Sequence, residues 1–186
     1  LEQLERLSLT GKHMKLQKSL DAFLFCCYAG MRYSDFTNLS KKNIVDINQE
    51  TWLIYKSVKT GTEVRLPLYL LFAGKGIVIL NKYRNNLEDF FRLRDNSNIN
   101  KDLIIIAKLA GLSKKISFHT ARHTNATLLI YNGVNITTVQ KLLGHKSVKT
   151  TQVYTNIMDM TIVHDLEKMK QAALGIKKKT DNSFNK

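Results

Sequence analysis

The chain reads as an α+β domain, mainly α: a helical body with a small three-stranded antiparallel sheet inserted near its front. Two observations predict this. Apolar residues recur at three- and four-residue steps in the first thirty positions and again from about Ile77 onwards, which is the period of an amphipathic helix. Between those stretches lie three short segments rich in β-branched and aromatic residues, separated by turn residues. The 186 residues, 44% of them hydrophobic, suffice for one domain with a substantial core.

Each element has a local reason. Leu16, Leu20, Phe23 and Leu24 set the step of a helix spanning 1–29, and Gly30 is placed to cap its C-terminus. A short helix follows over Ser34–Leu39. The strand segments are Ile44–Ile47, Thr51–Tyr55 and Thr62–Leu66. Lys59-Thr60-Gly61-Thr62 reads as a hairpin turn, with Gly61 at positive φ, and Pro67 closes the last strand. Farther on, Asp95-Asn96-Ser97-Asn98 reads as a loop between Leu87–Leu93 and a helix over Asn100–Ala110 stopped by Gly111. The next helix runs from about Thr120 to Tyr131 and ends at Asn132-Gly133. Asn135 N-caps another, with Ile136, Val139, Leu142 and Leu143 on its apolar face. Ser147 caps the helix expected to carry Tyr154. A last amphipathic helix is expected over 158–174, and the tail from Lys177 is expected to be disordered or to lie along a nucleic-acid backbone.

Composition narrows the function. Lys and Arg number 29 against 15 acidic residues, a net charge of +14, which favours a polyanionic partner, nucleic acid first. The two cysteines, Cys26 and Cys27, are adjacent in an apolar stretch and read as buried helix residues, not a disulfide framework, which suits a reducing cytosol. No apolar run approaches the roughly 18 residues of a membrane span, and no signal peptide is visible. The chain begins with Leu1, so it is expected to be a fragment of something longer.

Three segments carry chemistry: Gly30-Met31-Arg32-Tyr33-Ser34-Asp35, His119-Thr120-Ala121-Arg122-His123, and Leu142-Leu143-Gly144-His145 continuing to Tyr154. Taken singly, each has a plain reading: a surface ion pair, a basic surface helix, a capping histidine, a half-buried aromatic, and for Lys59 a solvated turn. The His-x-x-x-His spacing of His119 and His123 also occurs in zinc helices, but the glutamate such sites use is missing, since position 120 is Thr. Taken together, the segments offer every group that metal-free phosphoryl transfer on a nucleic-acid strand requires. Arginines fork onto the phosphate oxygens, where charge develops. A tyrosine, weak at its free pKa of about 10, attacks with the help of a base or of positive charge. A general acid protonates the departing 5′ oxygen.

In this order and spacing the motifs resemble the catalytic domain of the tyrosine recombinases, the phage-integrase family, which shares its core and chemistry with type IB topoisomerases. Gly-x-Arg-x-Ser-Asp, the hairpin lysine, His-x-x-Arg-His, Leu-Gly-His and a tyrosine nine residues after that histidine fall in the family's order, over nearly the whole chain. The run Thr-Thr-Gln-Val-Tyr looks most like integrases of bacterial mobile elements, conjugative transposons in particular. The resemblance implies a catalytic domain over 1–175, a basic tail over 176–186, and an N-terminal DNA-clamping domain absent from this chain. It implies Tyr154 as nucleophile, Arg32, Arg122 and His145 on the non-bridging oxygens, Lys59 as acid to the leaving oxygen, and His119 as base to the tyrosine, with Asp35 orienting Arg32. Asp35 stands where the family often has Glu. His123 is implied to be a structural partner only.

The resemblance further implies no ATP, metal or other cofactor, because the 3′-phosphotyrosyl link conserves the phosphodiester's energy. Its partners would be double-stranded DNA and three further copies of the chain, in a homotetramer on two duplexes made through the C-terminal segment, in the bacterial cytoplasm and with no membrane. Two alternatives stay open: a type IB topoisomerase-like swivelase using the same residues, and a DNA-binding module that has lost catalysis. A metal-dependent nuclease would need clustered carboxylates, and Glu88-Asp89 is the only adjacent acidic pair.

Overall fold

The apolar segment that opens the sequence becomes the centre of the molecule. The computed structural model describes residues 1–154 and, beyond them, Leu166, Glu167, Met169 and Lys170. Among these, α2 (Gln17–Ala29) is buried from Ser19 to its end. It packs against α7 (Phe118–Tyr131), α4 (Lys75–Lys82) and α6 (Asn96–Leu109). A helix that is apolar all round belongs inside a core rather than on a surface. Cys26 and Cys27 are buried in it as free thiols, as their surroundings predict.

The helix over 1–29 is interrupted. α1 covers only Glu2–Glu5, and a 3-10 turn over Gly11–Leu16 leads into α2. Ser8, Thr10 and Gly11 are weak helix formers, and the helical step read from Leu16, Leu20, Phe23 and Leu24 does not extend across them. α1 is tied to the body by Glu5, which accepts from the Tyr28 hydroxyl at 2.6 Å and from Lys75.

The short helix α3 (Tyr33–Thr37) follows, then the sheet, with β1 (Ile44–Ile47), β2 (Glu50–Lys56) and β3 (Glu63–Pro67) antiparallel in the order β1-β2-β3. Leu53 pairs with Ile44 and Leu66, and Tyr55 with Val64. Leu53, Tyr55, Val64 and Leu66 alternate with exposed or half-buried neighbours and are buried, so one face of the sheet joins the core.

Phe25, Phe36, Phe90 and Phe91 meet edge-to-face and Phe118 meets Phe36 at a tilt, in one cluster with ring centroids 5.3–6.1 Å apart. It joins α2, α3, α5 (Leu87–Phe91) and α7. The stretch read as an Asn/Asp loop is instead the first turn of α6: Asp95 is its N-cap and accepts from the Asn98 backbone at 3.0 Å. Asn135 and Ser147 cap α8 (Ile136–Leu143) and α9 (Val148–Gln152) as expected. α9 stops at Gln152, so Tyr154 lies in the turn after the helix, its N–H bonded to the Thr151 carbonyl at 3.1 Å. The helix expected over 158–174 and the tail from 176 lie outside the described residues, save that Leu166, Glu167, Met169 and Lys170 are helical and exposed.

Candidate active site

The site is built on the C-terminal end of α2. A helix end leaves carbonyls without intrahelical partners, and here α7 supplies them. Asn125 Nδ2 donates to the carbonyls of Cys27 and Tyr28 at 3.0 and 2.9 Å. Arg122 Nη1 donates to the Gly30 carbonyl at 2.7 Å, and its Nη2 to the Leu143 carbonyl at 2.6 Å. One buried guanidinium therefore joins the ends of α2 and α8. Gly30 has φ 67°, and a Cβ there would stand 2.6 Å from Asn125 Oδ1 and 2.8 Å from Leu143 Cδ2. Only glycine lets the chain turn this tightly and lets Arg122 reach its carbonyl. Burial, and then Arg32, push the Arg122 pKa down to about 10, which leaves it charged at neutral pH.

Two residues past Gly30, Arg32 is the extended N-cap of α3. Its Nη1 lies 3.4 Å from Asp35 Oδ2 and donates to Ser57 Oγ at 3.2 Å. Asp35 is buried, and it also accepts from the Val58 backbone N–H at 2.8 Å, at the start of the β2–β3 hairpin turn. The carboxylate expected to orient Arg32 therefore also holds the hairpin whose tip is Lys59. Lys59 is exposed, and its charge reaches His119.

His145 follows α8. Gly144 ends that helix with φ 63°, and a Cβ there would meet Val64 Cγ2 of β3 at 2.6 Å. The turn closes through the His145 N–H onto the Gln140 carbonyl at 3.0 Å, a Schellman-type bond, and Gln140 Nε2 returns to the His145 carbonyl at 3.0 Å. The imidazole Nδ1 is 2.9 Å from Thr151 Oγ1. Burial first, then Arg122 and Arg32, push its pKa down to about 4, so it is neutral at neutral pH.

Tyr154 is buried. Burial raises its pKa, while Arg122 and Arg32 pull the other way. Its ring meets that of His123 edge-on at 5.4 Å between centroids, and His123 meets His119 at 4.4 Å. Arg122 turns into the core, while His119, three residues earlier on α7, stays exposed and pairs with His123. The His119 pKa is lowered first by the partial loss of water around its ring and then by His123, Arg122, Arg32 and Lys59.

The fold thus brings Arg32, Arg122, His145 and Tyr154 within each other's electrostatic reach, with His119 against their edge and Lys59 at the margin. Sequence reasoning missed five neighbours: Ser57, Asn125, Thr151, His123 as the ring touching Tyr154, and Tyr55. The Tyr55 hydroxyl is buried without a hydrogen-bond partner among the described residues, within reach of both arginines. Ser57, Asn125 and Tyr55 carry no sequence signal, because their partners are fixed only by tertiary packing. His123 did carry one, being four residues from His119 on one helix.

The Phage integrase family pattern matches residues 2–160. The chain is 30% identical over 159 residues to a tyrosine recombinase XerC of Rickettsia prowazekii, covering 81% of this chain and 49% of that protein. It is 34% identical over 134 residues to a tyrosine recombinase XerA of Saccharolobus solfataricus, covering 69% and 42%. The chain spans about half the length of these relatives. Its fold matches the crystal structure of XerA recombinase (TM-score 0.63, 24% identity, 88% of this chain and 65% of that one). It also matches a Tn1549 transposon integrase in complex with a circular intermediate DNA (TM-score 0.65, 15% identity, 90% and 63%). The chain belongs to the phage integrase family.

Proposed function

We propose that this chain is the catalytic part of a site-specific DNA recombinase that cuts and rejoins strands through a 3′-phosphotyrosyl link. The observation that carries the reading is that two guanidiniums, Arg32 at the start of α3 and Arg122 on α7, are fixed by separate hydrogen bonds and both lie within electrostatic reach of the Tyr154 phenol. Arg32 and Arg122 hold the non-bridging oxygens of the scissile phosphate and stabilise the charge that develops on them. His145 joins them as a neutral donor: with Thr151 donating to Nδ1, the Nε2–H is left for an oxygen. Burial keeps the Tyr154 phenol protonated, so it needs a base, and His119, held in its neutral form, takes that proton. Tyr154 Oη bonds to phosphorus as the P–O5′ bond breaks, and Lys59 gives the departing oxygen its proton. His123, against both His119 and Tyr154, steadies the ring.

The substrate in this reading is double-stranded DNA, gripped by a chain of net charge +14 through salt-sensitive phosphate contacts. Residues 1–175 are the catalytic domain and 176–186 a basic tail. The assembly is a homotetramer on two duplexes joined through the C-terminal segment, working in the bacterial cytoplasm.

The test is covalent trapping. A pool of nicked duplexes, randomised around the nick so that the cut fragment diffuses away, is incubated with the chain in EDTA beside Tyr154→Phe. A protein–DNA adduct stable to denaturant in the wild type, and absent from the variant, is expected. An adduct that survives Tyr154→Phe overturns the assignment of the nucleophile. Transfer of the trapped strand to a second duplex separates a recombinase from a swivelase.

A further inference from the structure

The two residues that flank Lys59 are each bonded to a different arm of the site. The hairpin turn closes on itself through the Ser57 N–H onto the Thr62 carbonyl and the Gly61 N–H onto the Ser57 carbonyl, both at 2.8 Å, which leaves Val58, Lys59 and Thr60 as the tip. On one side the Val58 N–H reaches Asp35, the partner of Arg32. On the other, Thr60 Oγ1 donates to the Gly144 carbonyl at 3.1 Å, a bond between residues 84 apart in sequence. Gly144 immediately precedes His145, and β3 already leans on the same turn through Val64. Lys59 itself is exposed.

We propose that Thr60 is a positioning residue for protonation of the leaving group: its hydroxyl ties the main chain at Lys59 to the turn that carries His145. The inference rests on the reading of Lys59 as the general acid. A proton donor works only within about 2.6–3.2 Å of its acceptor. The lysine stem is four carbons long and flexible, so where its ammonium dwells depends on where its Cα is fixed. Asp35 fixes that Cα relative to Arg32, and Thr60 fixes it relative to His145. Acid and phosphate-holding groups thereby share one frame. A drift of about 1 Å at such a point can lower a rate by as much as ~10²-fold.

The chemistry supplies a readout that general loosening of the fold would not move. As the Tyr154 O–P bond forms and P–O5′ breaks, one Nζ–H proton passes to O5′, which leaves as a hydroxyl, and Lys59 is left as a neutral amine. If sulfur replaces that bridging oxygen, it leaves as a stable thiolate and takes no proton. Single-turnover cleavage is measured on the nicked duplex recovered by trapping, made with oxygen and with sulfur at the bridge. Thr60→Val, close in shape but without the hydroxyl, is expected to cut the oxygen duplex at least ~10-fold more slowly, to cut the sulfur duplex at the wild-type rate, and to bind both as the wild type does. Thr60→Ser restores the oxygen rate.

Equal slowing on both duplexes, or no slowing on oxygen, overturns the proposal. Lys59→Ala keeps its failure apart from that of the underlying reading. It should lose ~10²–10⁴-fold on oxygen and recover on sulfur. If Lys59→Ala is not rescued, or the wild type forms no adduct, the assignment of the acid falls and the tether with it. If Lys59→Ala is rescued and Thr60→Val is not, the tether alone falls.

Discussion

Arg122 and Arg32 bring the same charge to the same site and are held there by different means. Arg122 is buried and bonded to two main-chain carbonyls. Carbonyl dipoles orient a guanidinium without cancelling its charge, so Arg122 keeps a full positive charge. In exchange, the ends of α2 and α8 depend on it. Arg32 is half-buried and leans on Asp35 and Ser57. Its charge is partly offset by the carboxylate, and no helix end depends on it. The first arrangement makes one side chain part of both the fold and the site; the second leaves fold and site separable.

Substitution should expose that difference, and the largest effect is expected at Arg122. Arg122→Ala leaves the Gly30 and Leu143 carbonyls buried and unpaired, at about 1–3 kcal/mol each, together with a cavity. Urea denaturation should show a loss of about 3–5 kcal/mol, with cleavage abolished. Arg122→Lys should recover little, because one ammonium cannot serve both carbonyls in a forked geometry. Wild-type stability in Arg122→Ala would break the comparison.

Arg32→Ala should lower cleavage by about 10²–10³-fold, the scale of losing one oxyanion donor, and cost the fold only about 1–2 kcal/mol. That smaller cost has a specific origin, the buried Asp35 carboxylate left with Ser57 and Val58 alone. Adding Asp35→Asn should therefore return part of the stability and none of the activity. If the double variant is no more stable than Arg32→Ala, the ion pair is not what Arg32 contributes.

The same contrast separates what the sequence showed from what it hid. Local signals sufficed for the sheet, for Gly30 as the end of α2, and for the Asn135 and Ser147 caps, because spacing and capping chemistry sit within a few residues. They failed where tertiary packing decides. The step set by Leu16, Leu20, Phe23 and Leu24 belongs to α2, and extending it back to residue 1 passed over the break between α1 and α2. Asp95 read as loop because a capping residue and a loop residue have the same composition. At the site, charges in motifs stood out, and of the residues they pointed to the fold gathers Arg32, Arg122, His145 and Tyr154, with His119 at their edge and Lys59 at the margin. The residues that brace the site, Ser57 on Arg32, Thr151 on His145 and Asn125 on the end of α2, are small and polar and look like any others until the fold brings them in. The length of α9 was also out of reach, which is why Tyr154 lies past the helix expected to carry it.

The smallest expected effect tests whether both arginines act on a shared neighbour. The His145 pKa is about 4 in the folded chain, with burial the first cause, Arg122 the second and Arg32 the third. Its unfolded value is about 6.5. Between these values the unfolded chain binds more protons, so stability present above about pH 6.5 is lost as pH falls toward 4. His119, also lowered, contributes with the same sign. The urea midpoint should therefore drop from pH 7 to pH 5, and His145→Gln should remove part of that slope, with His119 accounting for part of what remains. Arg32→Ala should reduce the slope slightly, because a neighbouring positive charge is gone and the folded His145 pKa moves up toward its unfolded value. A ring titration of His145 by NMR gives the same answer site by site: a value unmoved by Arg32→Ala would leave Arg122 and burial as the only forces on it.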